Sequence, residues 1–284
     1  MSDAQIGGNR RPAGDFLDTK SGRSPLGEAR NLVGVFKRIA KVQVSEVAHI
    51  ASFAVRAPLQ LVGGSVQLTR TPLPPVQPRT EPPARPVMLV HGFCGSQSSW
   101  SLLARTLRAR GLTVEAISYT PFGTTVEQLA DRLVAEVNRI VSETRSDKVH
   151  LVGHSLGGVV IAKAIADGRL DGLVDTVVTL GSPFGGSPWA SFLPFGEVPR
   201  ALREGSPLLR RLASTPQTDG VRWLAFTAGL DIIVPGLRSV PTHAHVESIT
   251  IGDVGHLGLL LSQRVVERIA DALPAGEVVD HMSA

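Results

Sequence analysis

The chain has 284 residues, 43% of them hydrophobic and 19% charged. That is enough for one large domain or two small ones with a substantial buried core, and too apolar for a wholly disordered chain. A single cysteine, Cys94, excludes an internal disulfide framework and a cysteine-based zinc cluster, and the formal charge of +4 is unevenly placed: residues 1–85 hold 12 Lys+Arg against 6 Asp+Glu, residues 86–284 hold 17 against 19.

Residues 1–24, rich in Gly, Arg, Asp and Ser, are expected to form a disordered tail. An amphipathic helical extension is predicted over 25–69. Its helix starts at Ser24-Pro25 and ends before Pro58. Lys37, Lys41, Ser45, His49, Ser52 and Arg56 make one polar stripe, with Val35, Phe36, Ile39, Val47, Ile50, Phe53 and Ala54 opposite. Seven prolines between Arg70 and Pro86 mark 70–85 as an extended linker. The helix either packs on the following domain or, through residues 31–57, lies on an anionic lipid surface or a partner. The basic excess is small and no recognition motif accompanies it, so no nucleic-acid partner is expected. With no secretory apolar segment and no run of about 18 apolar residues, the expected location is cytoplasmic, peripheral on a membrane or lipid surface at most.

From residue 86 to 284, apolar strands alternate with helical patterns. Strands are predicted at Val87–Val90, Val114–Tyr119, Val149–Val152, Val174–Leu180, Trp223–Thr227 and Val246–Ile251. Helices are predicted at Ser98–Arg110 (closed by Gly111), from a Thr124/Glu127 capping box to about Val141, at Leu156–Ala166 and at Ser262–Leu273. This alternation predicts an α/β fold: a mostly parallel sheet covered by helices on both faces.

The strongest local signal is Gly153-His154-Ser155-Leu156-Gly157-Gly158, set between an apolar strand and a helix. In that context Gly-x-Ser-x-Gly describes a tight turn that presents a serine at the carboxyl end of the sheet. A serine hydroxyl needs a base, expected late in the chain after an acid. His49, His91, His150 and His154 precede Ser155, and His281 lies in the tail. His243 and His245 sit just before a strand, and their spacing alone, without a carboxylate or cysteine cluster, does not make a metal site. His256, in the loop after Val246–Ile251, is the choice. Asp231, isolated between apolar segments after Trp223–Thr227, is favoured as its partner over Asp253, three residues before His256. Leu156 and Phe93 are the expected backbone N–H donors to an oxyanion, Phe93 lying in the loop His91-Gly92-Phe93-Cys94-Gly95 after the first strand. His91 is expected to be structural, holding the loop, with its backbone and not its imidazole shaping the oxyanion site, and Cys94 to be a small packed residue.

Pro86–Leu273 resembles the bacterial lipases and esterases of the α/β-hydrolase superfamily. The resemblance rests on Val90-His91-Gly92-Phe93, the segment 153–158, Val178-Thr179-Leu180-Gly181-Ser182-Pro183, Asp231 with Val234-Pro235, and Gly255-His256-Leu257-Gly258-Leu259-Leu260. The segment around His256 looks most like the small Bacillus-type triacylglycerol lipases. The resemblance implies an α/β-hydrolase fold, hydrolysis of carboxylic esters of lipids, a catalytic triad of Ser155, Asp231 and His256, oxyanion donors Phe93 and Leu156, and no redox or organic cofactor. Some relatives carry a structural calcium, but no aspartate constellation here is assignable to one. About fifty residues separate Leu180 from Asp231, more than lidless members need. Trp189, Phe192, Leu193, Phe195, Leu208 and Leu209 in that stretch form either an apolar lid or acyl-binding wall, or an ordinary packed excursion. Thioester hydrolysis and acyl transfer use the same triad, and a non-catalytic binding protein would be expected to have lost part of it.

Overall fold

The computed structural model describes residues 84–93, 95–193, 196–215, 220–242 and 245–273, together with Val44. The expected tail, the extension 25–69 apart from Val44, the linker up to residue 83, Cys94, His243 and His281 lie outside the described residues.

The strands are β1 (Val87–Val90), β2 (Val114–Ile117), β3 (Val149–His154), β4 (Val174–Leu180), β5 (Arg222–Ala228) and β6 (Val246–Ile251). The helices are α1 (Ser101–Ala109), α2 (Val126–Thr144), α3 (Leu156–Ala166), α4 (Glu197–Ala201), α5 (Pro207–Ser214), α6 (Gly258–Leu261) and α7 (Gln263–Ala272). Every strand pairing is parallel, in the order β2-β1-β3-β4-β5-β6.

β1 shows why the sheet must be covered twice. Its four residues are all apolar and fully buried. Side chains alternate between faces, so Met88 and Val90 join one core cluster and Val87 and Leu89 the other. The first cluster holds the apolar stripe of α2 (Val126, Leu129, Leu133, Val137, Ile140) and much of α3. The second holds Leu103 and Leu107 of α1 and Val265, Val266 and Ile269 of α7. α3 is apolar around its whole circumference and buried accordingly. Its one buried cation, Lys163, is paired with Asp167.

The chain runs from β1 out to the edge strand β2 and then back to β3 on the other side of β1. Strand order therefore reverses between β1 and β3, and loops leaving their carboxyl ends part to leave a crevice. The register Val90↔Gly153 sets the residues after β1 beside those after β3.

Several elements differ from expectation. Strand β2 ends at Ile117, so Tyr119 lies beyond it. The capping box of α2 is Thr125 with Gln128, one residue later than predicted, because Val126 must open the buried stripe. A 3₁₀ turn, Gln97–Trp100, precedes α1, and α6 precedes the closing helix. Helices α4 and α5 were not predicted.

Candidate active site

Ser155 links the end of β3 to the start of α3 with φ 53° and ψ −121°. A side chain held at positive φ is strained and persists only where the surroundings enforce it. The flanking glycines show what enforces it. A β-carbon on Gly153 would sit 2.5 Å from Gly158 N, and one on Gly157 only 2.0 Å from Val90 O. The turn thus brings the helix back onto its own strand and against β1. At the head of α3 the first N–H groups, Leu156 among them, have no carbonyl within the helix, and the helix dipole adds partial positive charge there.

Asp231 follows β5 and His256 follows β6. His256 Nδ1 donates to Asp231 Oδ2 at 2.8 Å, with both side chains buried. Asp231 Oδ1 accepts from Ile233 N–H at 2.9 Å and Val234 N–H at 2.7 Å. Three donors therefore serve a carboxylate that would otherwise be costly to bury. Because Nδ1 carries the proton, His256 Nε2 is left with a lone pair able to accept another. The two loops are tied together by Gly229 N–H to Ile251 O at 2.8 Å and Leu230 N–H to Val254 O at 3.0 Å. Asp253, the rival acid, faces outward and pairs with Arg264.

The serine and the histidine meet through their neighbours. Ser155 N–H donates to Leu180 O at 2.9 Å. The next residue, Gly181, has φ +57°, and a β-carbon there would lie 3.0 Å from His256 Nδ1 and 3.2 Å from Asp231 Oδ2. On the other side of Ser155, the His154 ring lies 4.7 Å from the His256 ring, centroid to centroid. His154 Nε2 donates to the His256 carbonyl at 3.2 Å. Burial, and then the neighbouring His256, hold the His154 pKa well below 6.5, so it stays neutral. The motif named His154 only as a spacer; its contact with His256 is visible only in the fold.

The loop after β1 closes the other side. Gly92 lies against the elbow, where a β-carbon would come within 3.0 Å of Ser155 Cβ. The Phe93 ring meets Phe122 edge-on at 5.4 Å. His91 holds this loop as expected, but it does so with its imidazole and not through its backbone alone. Its Nδ1 donates to Gly92 O at 2.8 Å, so the imidazole itself shapes the loop. Of the other histidines, His245 takes φ +68° in the turn before β6.

The stretch after β4 is stitched to the loop carrying Asp231. Trp189 Nε1 donates to Ile232 O at 2.8 Å, Ser187 Oγ to Ile233 O at 2.6 Å, and Gly185 N–H to Arg238 O at 2.8 Å. Leu209 is buried and Leu208 packs partly against the core, whereas Phe192 is 77% exposed and Leu193 37%. This is mostly a packed excursion with a short apolar tip; Phe195 lies outside the described residues.

A doubly covered parallel sheet with a strained serine elbow after β3 and a buried Asp–His pair on the loops after β5 and β6 defines an α/β hydrolase. The chain belongs to the alpha/beta hydrolase family, whose model matches residues 87–244. It is similar to triacylglycerol lipases of Pseudarthrobacter phenanthrenivorans and Burkholderia plantarii, each 30% identical over 116 residues. Those matches cover 38% of this chain and 36% and 32% of the relatives, so it spans about a third of the curated relatives' length. The solved structure of the mature form of a Bacillus licheniformis lipase superposes with a TM-score of 0.57 at 18% identity. It covers 68% of this chain and 96% of that one, a likeness of fold.

Proposed function

We propose that the chain hydrolyses carboxylic esters of lipids through an acyl-enzyme on Ser155. The observation that carries this reading is the His256–Asp231 hydrogen bond standing behind an elbow serine. His256 Nε2 takes the hydroxyl proton as Ser155 Oγ attacks the ester carbonyl. Charge forming on the carbonyl oxygen meets the N–H groups of Leu156 and Phe93. Collapse breaks the ester C–O bond, and His256 returns the proton to the departing alcohol. A water then gives a proton to His256 and attacks the acyl-serine, releasing the acid and restoring Ser155. Asp231 keeps Nδ1 protonated throughout and stabilises the imidazolium.

The lipid assignment draws on the names of the curated relatives, and a substrate profile tests it. Purified protein should cleave p-nitrophenyl esters across a series from acetyl to palmitoyl, faster than it cleaves acyl-CoA thioesters. Preference for the thioesters, or transfer of the acyl group to an added alcohol in place of water, would reassign the reaction.

No helix among the described residues is long and apolar enough to cross a membrane. In this reading the basic segment 31–57 brings the enzyme to an anionic lipid surface. Deleting residues 1–70 should lower binding to anionic liposomes and activity on emulsified lipid while sparing short soluble esters. Equal loss on both would make the segment a packing element of the hydrolase domain.

A further inference from the structure

Tyr119 is the chain's one tyrosine, and it is buried directly beyond β2. β2 lies beside β1 with Val90 opposite Ile117, so the residues after each strand run side by side. Tyr119 meets His91 in three ways. Its ring stacks on the imidazole at 4.1 Å and 18°. Its hydroxyl donates to the His91 carbonyl oxygen. Its N–H donates to His91 Nε2 at 3.4 Å.

The consequence runs along a single peptide. With Nε2 accepting, the proton of a neutral His91 sits on Nδ1 and is donated to Gly92 O. Gly95 N–H donates to the same oxygen at 3.0 Å. Two donors therefore pin the carbonyl of the Gly92–Phe93 peptide. That peptide is planar and trans, so pinning its C=O directs the Phe93 N–H the opposite way. Three residues past Tyr119, Phe122 braces the Phe93 ring from the side. Burial lowers the His91 pKa and raises that of the Tyr119 phenol, so the imidazole stays neutral and the phenol stays a donor.

We propose that Tyr119, acting through His91, is a positioning residue that aims the Phe93 N–H at the developing oxyanion. The inference rests on the serine-hydrolase reading given above. A positioned oxyanion donor acts on the transition state and not on ester binding, which gives the role a signature that packing alone lacks.

The test compares Tyr119→Phe, His91→Leu and His91→Asn with the parent protein. Tyr119→Phe keeps the ring and loses the hydroxyl. His91→Leu removes the donor to Gly92 O, and His91→Asn puts an amide N–H near the lost Nδ1. Removing an oxyanion donor outright costs about 100- to 1,000-fold in rate. Misaiming one should lower kcat by about 10- to 100-fold in Tyr119→Phe and His91→Leu, with KM within about twofold. Affinity for an alkyl boronic acid, which forms a tetrahedral adduct on the serine, should fall by the same factor, and His91→Asn should recover part of the loss. An unchanged kcat in Tyr119→Phe, or a loss of kcat with no loss of boronate affinity, overturns the proposal. Should the variants fail to fold, 3-fluorotyrosine incorporation places one fluorine probe on the parent chain. Its resonance should shift when a phosphonate modifies Ser155, and a fixed resonance overturns the proposal equally. Ser155→Ala separates the two levels: if it keeps esterase activity, the serine reading itself fails. If it is dead while Tyr119→Phe is fully active, only the role of Tyr119 fails.

Discussion

His256 gives its Nδ1 proton to one oxygen of Asp231, and the other oxygen is held by the backbone of Ile233 and Val234. Asp231 therefore fixes both the tautomer and the orientation of the imidazole. Asp231→Asn preserves an oxygen for the two backbone donors but can turn an N–H toward Nδ1, which favours the wrong tautomer. We expect kcat on a short soluble ester to fall by about 10³- to 10⁴-fold, with the melting transition still cooperative. Steady-state kinetics beside a thermal melt checks both halves.

Asp253 offers the matching control. It is exposed and paired with Arg264, itself exposed, at the surface. Such pairs contribute about 0–1 kcal/mol. Asp253→Asn should change kcat by less than about threefold, since the carboxylate is exposed and pairs with a surface arginine. A loss approaching that of Asp231→Asn would move the acid to Asp253.

The elbow makes a prediction about stability. Alanine at 157 must place its methyl 2.0 Å from Val90 O, against the backbone of a central strand that cannot retreat. We expect Gly157→Ala to cost at least about 3 kcal/mol, beyond ordinary overpacking, and to yield little soluble protein. Gly111→Ala is the comparison. Gly111 has positive φ (82°), which the helical Gly157 does not, but a β-carbon there meets nothing within 4 Å. It should cost only the left-handed backbone penalty of about 1–2 kcal/mol. Urea titrations of both variants read the difference.

Stability should also depend on pH in a set direction. Burial lowers the pKa of His154 and of His91 in the folded protein. The unfolded chain therefore binds more protons once the pH falls below about 6.5, the ordinary histidine value. Stability from these two groups is full above that pH and is lost as the pH falls through it toward the depressed folded values. Urea midpoints from pH 8 to pH 5 should stay level at first and then decline. His154→Gln, which keeps a donor near the Nε2 position and removes the titration, should flatten that decline. An equally steep fall in the variant would take the effect away from His154.

The parts of this fold that depend on local pattern were legible in the sequence. The run Val87–Val90 and the helix Leu156–Ala166 stand where their apolar patterns place them, because a doubly buried strand and a buried helix tolerate few polar residues. The α2 cap slipped by one residue because Thr124 and Thr125 are adjacent and Thr124 also bonds Gln128. Only the burial of Val126 decides between them. Helix α5 has a start signal in the sequence, Ser206 before Pro207, and the Ser206 side chain caps Leu209 N–H. Tyr119 and His154 were not legible at all. Their contacts to His91 and His256 reach across 28 and 102 residues and exist only once β1, β2, β3 and β6 are in register.

The account stands on Ser155 as an activated nucleophile. The most direct measurement is intact-protein mass spectrometry after brief exposure to a fluorophosphonate, run on the parent chain and on Ser155→Ala beside p-nitrophenyl ester turnover. The parent should gain one phosphonyl mass, mapped to the peptide holding Ser155, and lose activity in step with labelling. Ser155→Ala should take up no label and show only background hydrolysis. A Ser155→Ala protein that still cleaves esters, or a parent labelled elsewhere, would contradict the mechanism.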